Sequence, residues 1–561
     1  MRPLPTFLCT AIAVALLSLP GLAADEMHPA RKGAKVATPD NETPQRWYEQ
    51  GAQAARAGAA QSPKPNKARN VILFVGDGMG ISTVAAARIF EGQLNGASGE
   101  ENRLSFERLP YVSLSKTYSV DGQTPDSAPT MTAMVSGIKT NQGVIGVTQY
   151  ARYNDCASAN GQSVASILEI AEALGLATGI VSTARITHAT PAATYAHTPN
   201  RDWESDAELS AEARANGCKD IARQLVEFPY GDGLEVALGG GRSYFLPNTV
   251  ADPEDASAFG RRRDGRNLAQ EWASRPGAAY VWNQAQFDAI DPRSTHKLLG
   301  LFEGSHMEYE YDRPTDAGKE PSLTAMTRKS IEILQANAGD KGYFLMVEGG
   351  RVDHAHHAGN ASRALSDTVA LSDAVRAARS LTSEDDTLIV VTADHSHVFT
   401  IAGYPDRGND ILGKVVTEGR LALADDGKPY TTLGYANGPG YRGPGGRPDL
   451  TLVDTAHPDF LQEAAIPIAA SETHAAEDVG IYASGPGAHA FQGVVEQNVI
   501  FHVMSQSQKD INAFLCLLFG GCGTPTNTTP AGKLTRPSLA PPLMEADLRA
   551  GLGGGKPPVR K

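Results

Sequence analysis

Short apolar runs recur along this chain, and most of them stop at a glycine-rich or acidic stretch. Asn70 to Val75 (NVILFV) runs into Gly76-Asp77-Gly78-Met79-Gly80, and Leu234 to Leu238 runs into Gly239-Gly240-Gly241. Tyr343 to Val347 is followed by Glu348, Gly349-Gly350, Asp353, His354, His356 and His357, and Leu388 to Thr392 by Asp394, His395 and His397. Leu176 to Ser182 leads to Arg185, Thr187, His188 and Thr190, and Val479 to Ala483 leads to Gly485-Pro486-Gly487. Runs of this length without polar alternation predict strands covered on both faces. Between them lie helical spacings: Val164, Ile167, Leu168, Ala171; Leu323, Met326, Ile333, Leu334; and Ala364, Leu371, Val375, Ala378. Strands alternating with helices predict an α/β fold, doubly wound, with a mainly parallel central sheet and helices on both faces.

The same pattern divides the chain. Residues 1–24 carry Arg2, an apolar run from Phe7 to Leu19 and a small-residue end at Ala23-Ala24, a secretory signal layout. Residues 25–69 read as an extension with a short helix over Thr43–Ala57 and Pro44 in its first turn. Residues 70–402 and 472–524 form the α/β body, ending in one helix over Asn498–Phe519; 403–471, rich in Gly and Pro, read as an inserted small lobe, and 525–561 as a mobile tail. No apolar run reaches the length of a membrane span, so the expected product is periplasmic or secreted, without a membrane anchor. Outside Cys9 in the leader, Cys156, Cys218, Cys516 and Cys522 make an even count, which in an oxidising compartment predicts two disulfides, with three pairings open. A formal charge of −13 argues against sequence-independent binding of nucleic acid or anionic lipid.

In open parallel sheets ligands bind beyond the carboxyl ends of the strands. Asp77, Ser127, His188, Glu348, Asp353, His357, Asp394, His395 and His474 would converge there although they are scattered in sequence. GDGMG at Gly76 to Gly80 lacks dinucleotide-loop spacing and puts an acid where a pyrophosphate would sit. Two acids and three imidazoles within ten residues past a buried strand are costly unless a cation holds them; the alternative is a His-rich solvated loop. A mixed His and carboxylate set suits zinc, and an oxygen-only set such as Asp77, Thr190 and Glu348 suits magnesium. Ser127 precedes a small-residue helix pattern and is either a plain N-cap or a nucleophile at the positive dipole end. Arg201 has the planar fork that fits two phosphate oxygens.

Six motifs then occur in order: VGDGMG at Val75–Gly80, DSAPT at Asp126–Thr130, THATPA at Thr187–Ala192, VEGGRVDHAHH at Val347–His357, VTADHSH at Val391–His397 and ETH at Glu472–His474. Together they resemble the alkaline phosphatase family, closer to its animal-type branch than to the shorter bacterial forms. The resemblance implies a phosphomonoesterase of broad specificity and alkaline optimum, with Ser127 as the nucleophile that becomes phosphoserine and Arg201 clamping phosphate. It implies one zinc on Asp353, His357 and His474, a second on Asp77, Asp394 and His395, and a magnesium on Asp77, Thr190 and Glu348. His188, His354 and His397 would orient ligands or waters, and His356 has no assigned role. The branch also implies a calcium near Glu254, the Phe302 carbonyl, Glu303 and Glu320, disulfides Cys156–Cys218 and Cys516–Cys522, and a homodimer. A sulfatase would need an arginine after Ser127-Ala128-Pro129-Thr130, where Met131 stands. A phosphodiesterase of the same superfamily and a non-catalytic phosphate- or metal-binding protein are the remaining rivals.

Overall fold

A computed structural model describes residues 43–443, 445–468, 470–519 and 542–551. The leader and Cys522 lie outside the described residues. The central sheet has ten strands: β1 Asn70–Gly76, β2 Tyr111–Lys116, β3 Ala177–Arg185, β4 Val236–Gly240, β5 Ala278–Val281, β6 Lys297–Leu301, β7 Tyr343–Gly349, β8 Thr387–Ala393, β9 Val479–Ser484 and β10 Val494–Glu496. Their spatial order is β10-β2-β9-β8-β1-β7-β3-β4-β6-β5. β9 is antiparallel to both its neighbours, and every other pairing in the sheet is parallel.

β1, β7 and β8 are buried along their whole length, as their unbroken apolar runs require. Side-chain alternation sends Val71, Leu73 and Val75 to one core and Ile72 and Phe74 to the other. The first core is closed by the helices α1 Ser127–Ser136 and Ile167–Ala173, and the second by Leu323–Asn337 and Ala361–Leu381. The fold is thus doubly wound and mainly parallel.

Three expectations need correction. The lobe sheet begins before residue 403: its strands are Phe399–Ile401, Leu433–Gly438 and Ala464–Pro467. The terminal helix is two helices, Val499–Ser507 and Lys509–Phe519, because the Gln508 side chain turns back to accept from the backbone N–H groups of Asp510 and Ile511. Residues 542–551, within the expected mobile tail, form an ordered segment. It docks through Leu543 and the buried Leu548, with Ala165 N–H donating to the Leu543 carbonyl at 2.9 Å. Residues 247–292, for which the sequence predicts no element, hold β5 and the helices Leu268–Ala273 and Gln284–Asp288.

Cys156 and Cys218 are disulfide-bonded across 62 residues, and Cys516 is disulfide-bonded as well. Among the described residues no helix is long and apolar enough to cross a membrane.

Candidate active site

The carboxyl ends of β1, β3, β7 and β8 lie side by side in the sheet, and the polar residues that follow them meet at this rim. Asp77 follows β1. The next residue, Gly78, has φ of +66°, and a Cβ there would come within 2.4 Å of the His397 ring, so only glycine lets the loop approach. Glu348 lies inside β7 itself, rather than after it as the sequence reading had it. Asp353 and His357 sit four apart on one face of the helix α2 Arg351–His357, which replaces the loop alternative. Asp394 and His395 follow β8. The reversed direction of β9 brings the residues before it to the same rim. A two-residue ladder pairs His474 with His397 there.

His357 Nε2, His474 Nε2 and Asp353 Oδ1 form a triangle with edges of 3.0, 3.3 and 3.4 Å. Tetrahedral zinc with bonds near 2.1 Å separates its ligands by about 3.4 Å. The Nδ1 atoms of His357 and His474 contact the carbonyls of Glu472 and Pro125, at 2.7 and 2.8 Å. A carbonyl only accepts, so both Nδ1 atoms carry the proton, and in the neutral tautomers that result the two Nε2 lone pairs face each other. Burial also lowers the His357 pKa and keeps it neutral. A cation between the lone pairs turns this repulsion into attraction.

A second triangle lies alongside. His395 Nε2 stands 3.4 Å from Asp77 Oδ1 and 3.3 Å from Asp394 Oδ2, which is buried without a hydrogen-bond partner. Ser127 Oγ is 3.4 Å from Asp77 Oδ1 and 3.2 Å from His395 Nε2, the spacing of a fourth tetrahedral ligand. A third set has Asp77 Oδ2 at 3.4 Å from Thr190 Oγ1, with Glu348 Oε1 buried and unpartnered and His188 within ligand distance. Glu348 Oε2 accepts from the Ser182 hydroxyl.

Burial raises the pKa values of Asp77 and Asp394, helped by the charges of Asp394 and Asp353 at the first and of Asp353 at the second, and burial pushes Glu348 up to about 8. Burial opposes ionisation of Asp353 too, yet the imidazoles of His357, His397 and His474 hold it well below the ordinary carboxylate value. His397 is desolvated, but Asp353 and Glu472 at its two nitrogens raise it to about 10. Among the described residues no lysine or arginine pairs with Asp77, Glu348, Asp353 or Asp394.

Ser127 is the first residue of α1. The cap itself is Asp126, whose Oδ1 accepts from Ala128 N–H at 2.7 Å, so the serine hydroxyl is not needed as a cap. Asp126 Oδ1 also lies 3.2 Å from Arg201 Nη1, and His188 Nε2 lies 3.0 Å from Arg201 Nη2. His354 packs edge-on against His188 and tilted against His306, a residue the sequence reading passed over because it sits in a loop without a motif. Glu472, quoted only as part of a motif, proves to anchor His397. At a separate place Glu254 and Glu303 come together with Asp316, also unanticipated, while Phe302 is buried just before Glu303. Burial with Glu254 and Asp316 nearby pushes Glu303 up to about 8. Glu320 is not within ligand distance of that group; it is buried with Oε1 accepting from Glu308 N–H at 2.7 Å and Oε2 unpartnered, and burial with Glu303 raises it to about 9.

Fold and rim place the chain among α/β proteins with candidate metal-binding groups at the carboxyl ends of their strands. A family model described as alkaline phosphatase matches residues 68–509. The tissue-nonspecific alkaline phosphatase of Gallus gallus is 47% identical over 472 residues, covering 82% of this chain and 89% of that protein. The Homo sapiens isozyme is 45% identical over 472 residues, covering 82% and 88%. Among solved structures, the alkaline phosphatase of Thermus thermophilus aligns over 81% of this chain and 94% of its own, with 25% identity and a TM-score of 0.57. That of the Antarctic bacterium TAB5, at 24% identity and a TM-score of 0.54 over 79% and 99%, shares the fold. The chain belongs to the alkaline phosphatase family. It is an enzyme of a metal-dependent family that hydrolyses phosphate monoesters.

Proposed function

We propose that hydrolysis proceeds through a covalent phosphoserine at Ser127, with broad monoester specificity and an alkaline optimum. The observation that carries this reading is the position of Ser127 Oγ, 3.2 Å from His395 Nε2 and 3.4 Å from Asp77 Oδ1. Asp353, His357 and His474 would hold one zinc, Asp77, Asp394 and His395 a second, and Asp77, Thr190 and Glu348 a magnesium. The donor chemistry fits: nitrogen and carboxylate oxygen for zinc, oxygen alone for magnesium. When bound, these cations supply positive charge that stabilises oxyanions and lowers the pKa of adjacent hydroxyl groups.

The chain's own residues account for the rest. Ser127 Oγ attacks phosphorus as the bond to the leaving alcohol breaks. Arg201 offers its fork to two phosphoryl oxygens, steadied by Asp126 and His188. The N-terminus of α1 favours the negative charge gathered there. Water then adds to phosphorus from the face the alcohol left, releasing Ser127 and inorganic phosphate; two inversions give net retention. His397, fixed between Asp353 and Glu472, orients Asp353, and His354 supports the His188 side.

Glu254, the Phe302 carbonyl, Glu303 and Asp316, with Glu320 nearby, we read as a calcium site, since oxygen donors gather there. The signal layout and the Cys156–Cys218 bond support a periplasmic or secreted enzyme. We take the assembly to be a homodimer, as the resemblance implies. Acid quenching with radiolabelled phosphate tests the central step. Wild type should retain label on the protein and Ser127→Ala should retain none; label persisting in the variant would remove Ser127 from the nucleophile's role.

A further inference from the structure

One face of a lobe strand touches both halves of the triangle made by Asp353, His357 and His474. Tyr435 and Asn437 lie two apart on the strand Leu433–Gly438, so their side chains leave the same face. The Tyr435 hydroxyl is 2.8 Å from His356 Nδ1. His356 Nε2 is in turn 2.9 Å from Thr83 Oγ1, on the body helix Ile81–Leu94. His356 is fully buried, and it stands on α2 between Asp353 and His357. One ring nitrogen is thus held by the lobe and the other by the body. This explains why α2 carries an imidazole that joins none of the candidate metal groups.

Asn437 reaches the other half. Its Nδ2 donates to Thr473 Oγ1 at 2.9 Å and its Oδ1 accepts from Thr473 N–H at 3.0 Å. Thr473 immediately precedes His474. The strand also comes close by design of its last residue: a Cβ on Gly438 would lie 2.9 Å from the Glu472 Cβ. The two imidazoles that face each other at 3.0 Å come from stretches 117 residues apart, and this strand spans them.

We propose that the strand is a splint that sets the separation of His357 and His474, with Tyr435, His356 and Asn437 as positioning residues for the cation held there. The inference rests on the reading of that triangle as a zinc site. Such supporting hydrogen bonds typically contribute about 10- to 100-fold to metal affinity.

The test titrates the zinc-loaded full chain with a chromophoric zinc chelator, in wild type, Tyr435→Phe, Asn437→Ala, the double variant and His357→Ala. Each lobe variant should release one zinc about 10-fold more readily while the second zinc is unchanged, and excess zinc should restore kcat. Release profiles identical to wild type, or both zincs loosened equally, would overturn the splint. His357→Ala should lose the same zinc; if it keeps both, the zinc reading of the triangle fails, and the splint with it. If His357→Ala loses a zinc and the lobe variants do not, the splint alone fails. Metal-free forms of the lobe variants should melt with metal-free wild type, and a matching loss of stability there would reduce the residues to a structural role.

Discussion

Two sets of buried carboxylates in this molecule differ in what stands opposite them. Away from the rim, Arg262 is fully buried and grips Asp220 with both terminal nitrogens, at 2.9 and 3.1 Å, and also pairs with Asp264. Arg242 grips Asp252 through Nε and Nη2, at 2.8 and 2.7 Å. At the rim, Asp77, Glu348 and Asp394 are as deeply buried, yet no arginine or lysine among the described residues meets them, and Asp394 Oδ2 and Glu348 Oε1 have no hydrogen-bond partner. The arginines oppose the desolvation of the first set, holding Asp252 below the ordinary carboxylate value, while burial still leaves Asp220 above it. On the proposed reading, that of the second is left to a bound cation, and the difference separates carboxylates that hold the fold from those proposed to hold metal.

The contrast can be broken in four ways. The largest effect should come from Asp394→Ala, or from chelation of wild type: a fall in kcat/KM of about 10^3-fold or more, measured on a nitrophenyl monoester, with the fold retained by circular dichroism. Next comes the pH response of the metal-free protein. Glu348 has a folded pKa of about 8 against an ordinary value of 4.5. The folded state therefore holds the proton more tightly, and stability present below pH 4.5 is lost as pH rises toward 8. Denaturant midpoints of chelated protein should fall steadily across that window, while the metal-loaded enzyme stays nearly flat; a flat chelated curve would sink the argument.

Arg262→Met should do the opposite of the rim changes. It strands Asp220 in the interior and should cost about 3–5 kcal/mol in urea unfolding, while kcat per folded molecule stays at the wild-type level. The smallest effect belongs to an ion pair in water. Lys64 and Asp385 approach to 2.7 Å, but Asp385 is 80% exposed, so Lys64→Ala should change stability by less than about 1 kcal/mol.

Much of this was legible in the chain. β1, β7 and β8 announce themselves as apolar runs because both their faces are covered, and the acids and imidazoles beyond them mark one rim by fold rule alone. Other features left no local trace. β5 is a half-buried edge strand of only four residues, and its AAYV run is too short to mark it as a strand. The break at Gln508 comes from a side chain bending back on its own backbone, with neither Gly nor Pro to signal it. Asp316 and His306 lie in irregular segments whose course depends on distant partners. Asp126 was read only as part of a motif, and its capture of the cap position, which frees Ser127, is a matter of side-chain direction. The orientation of β9 is invisible to periodicity, since a run of apolar residues reads the same both ways.

That orientation has a practical consequence. Because β9 runs against β8, the chain leaves the rim at Ser396 and returns to it at His474, and the His397–His474 ladder pins the exit and the entrance together. Everything between is a closed excursion from the rim and back. Any segment grafted between the same two anchors would have to keep Tyr435 and Asn437, whose hydrogen bonds to His356 and Thr473 tie the excursion to the rim.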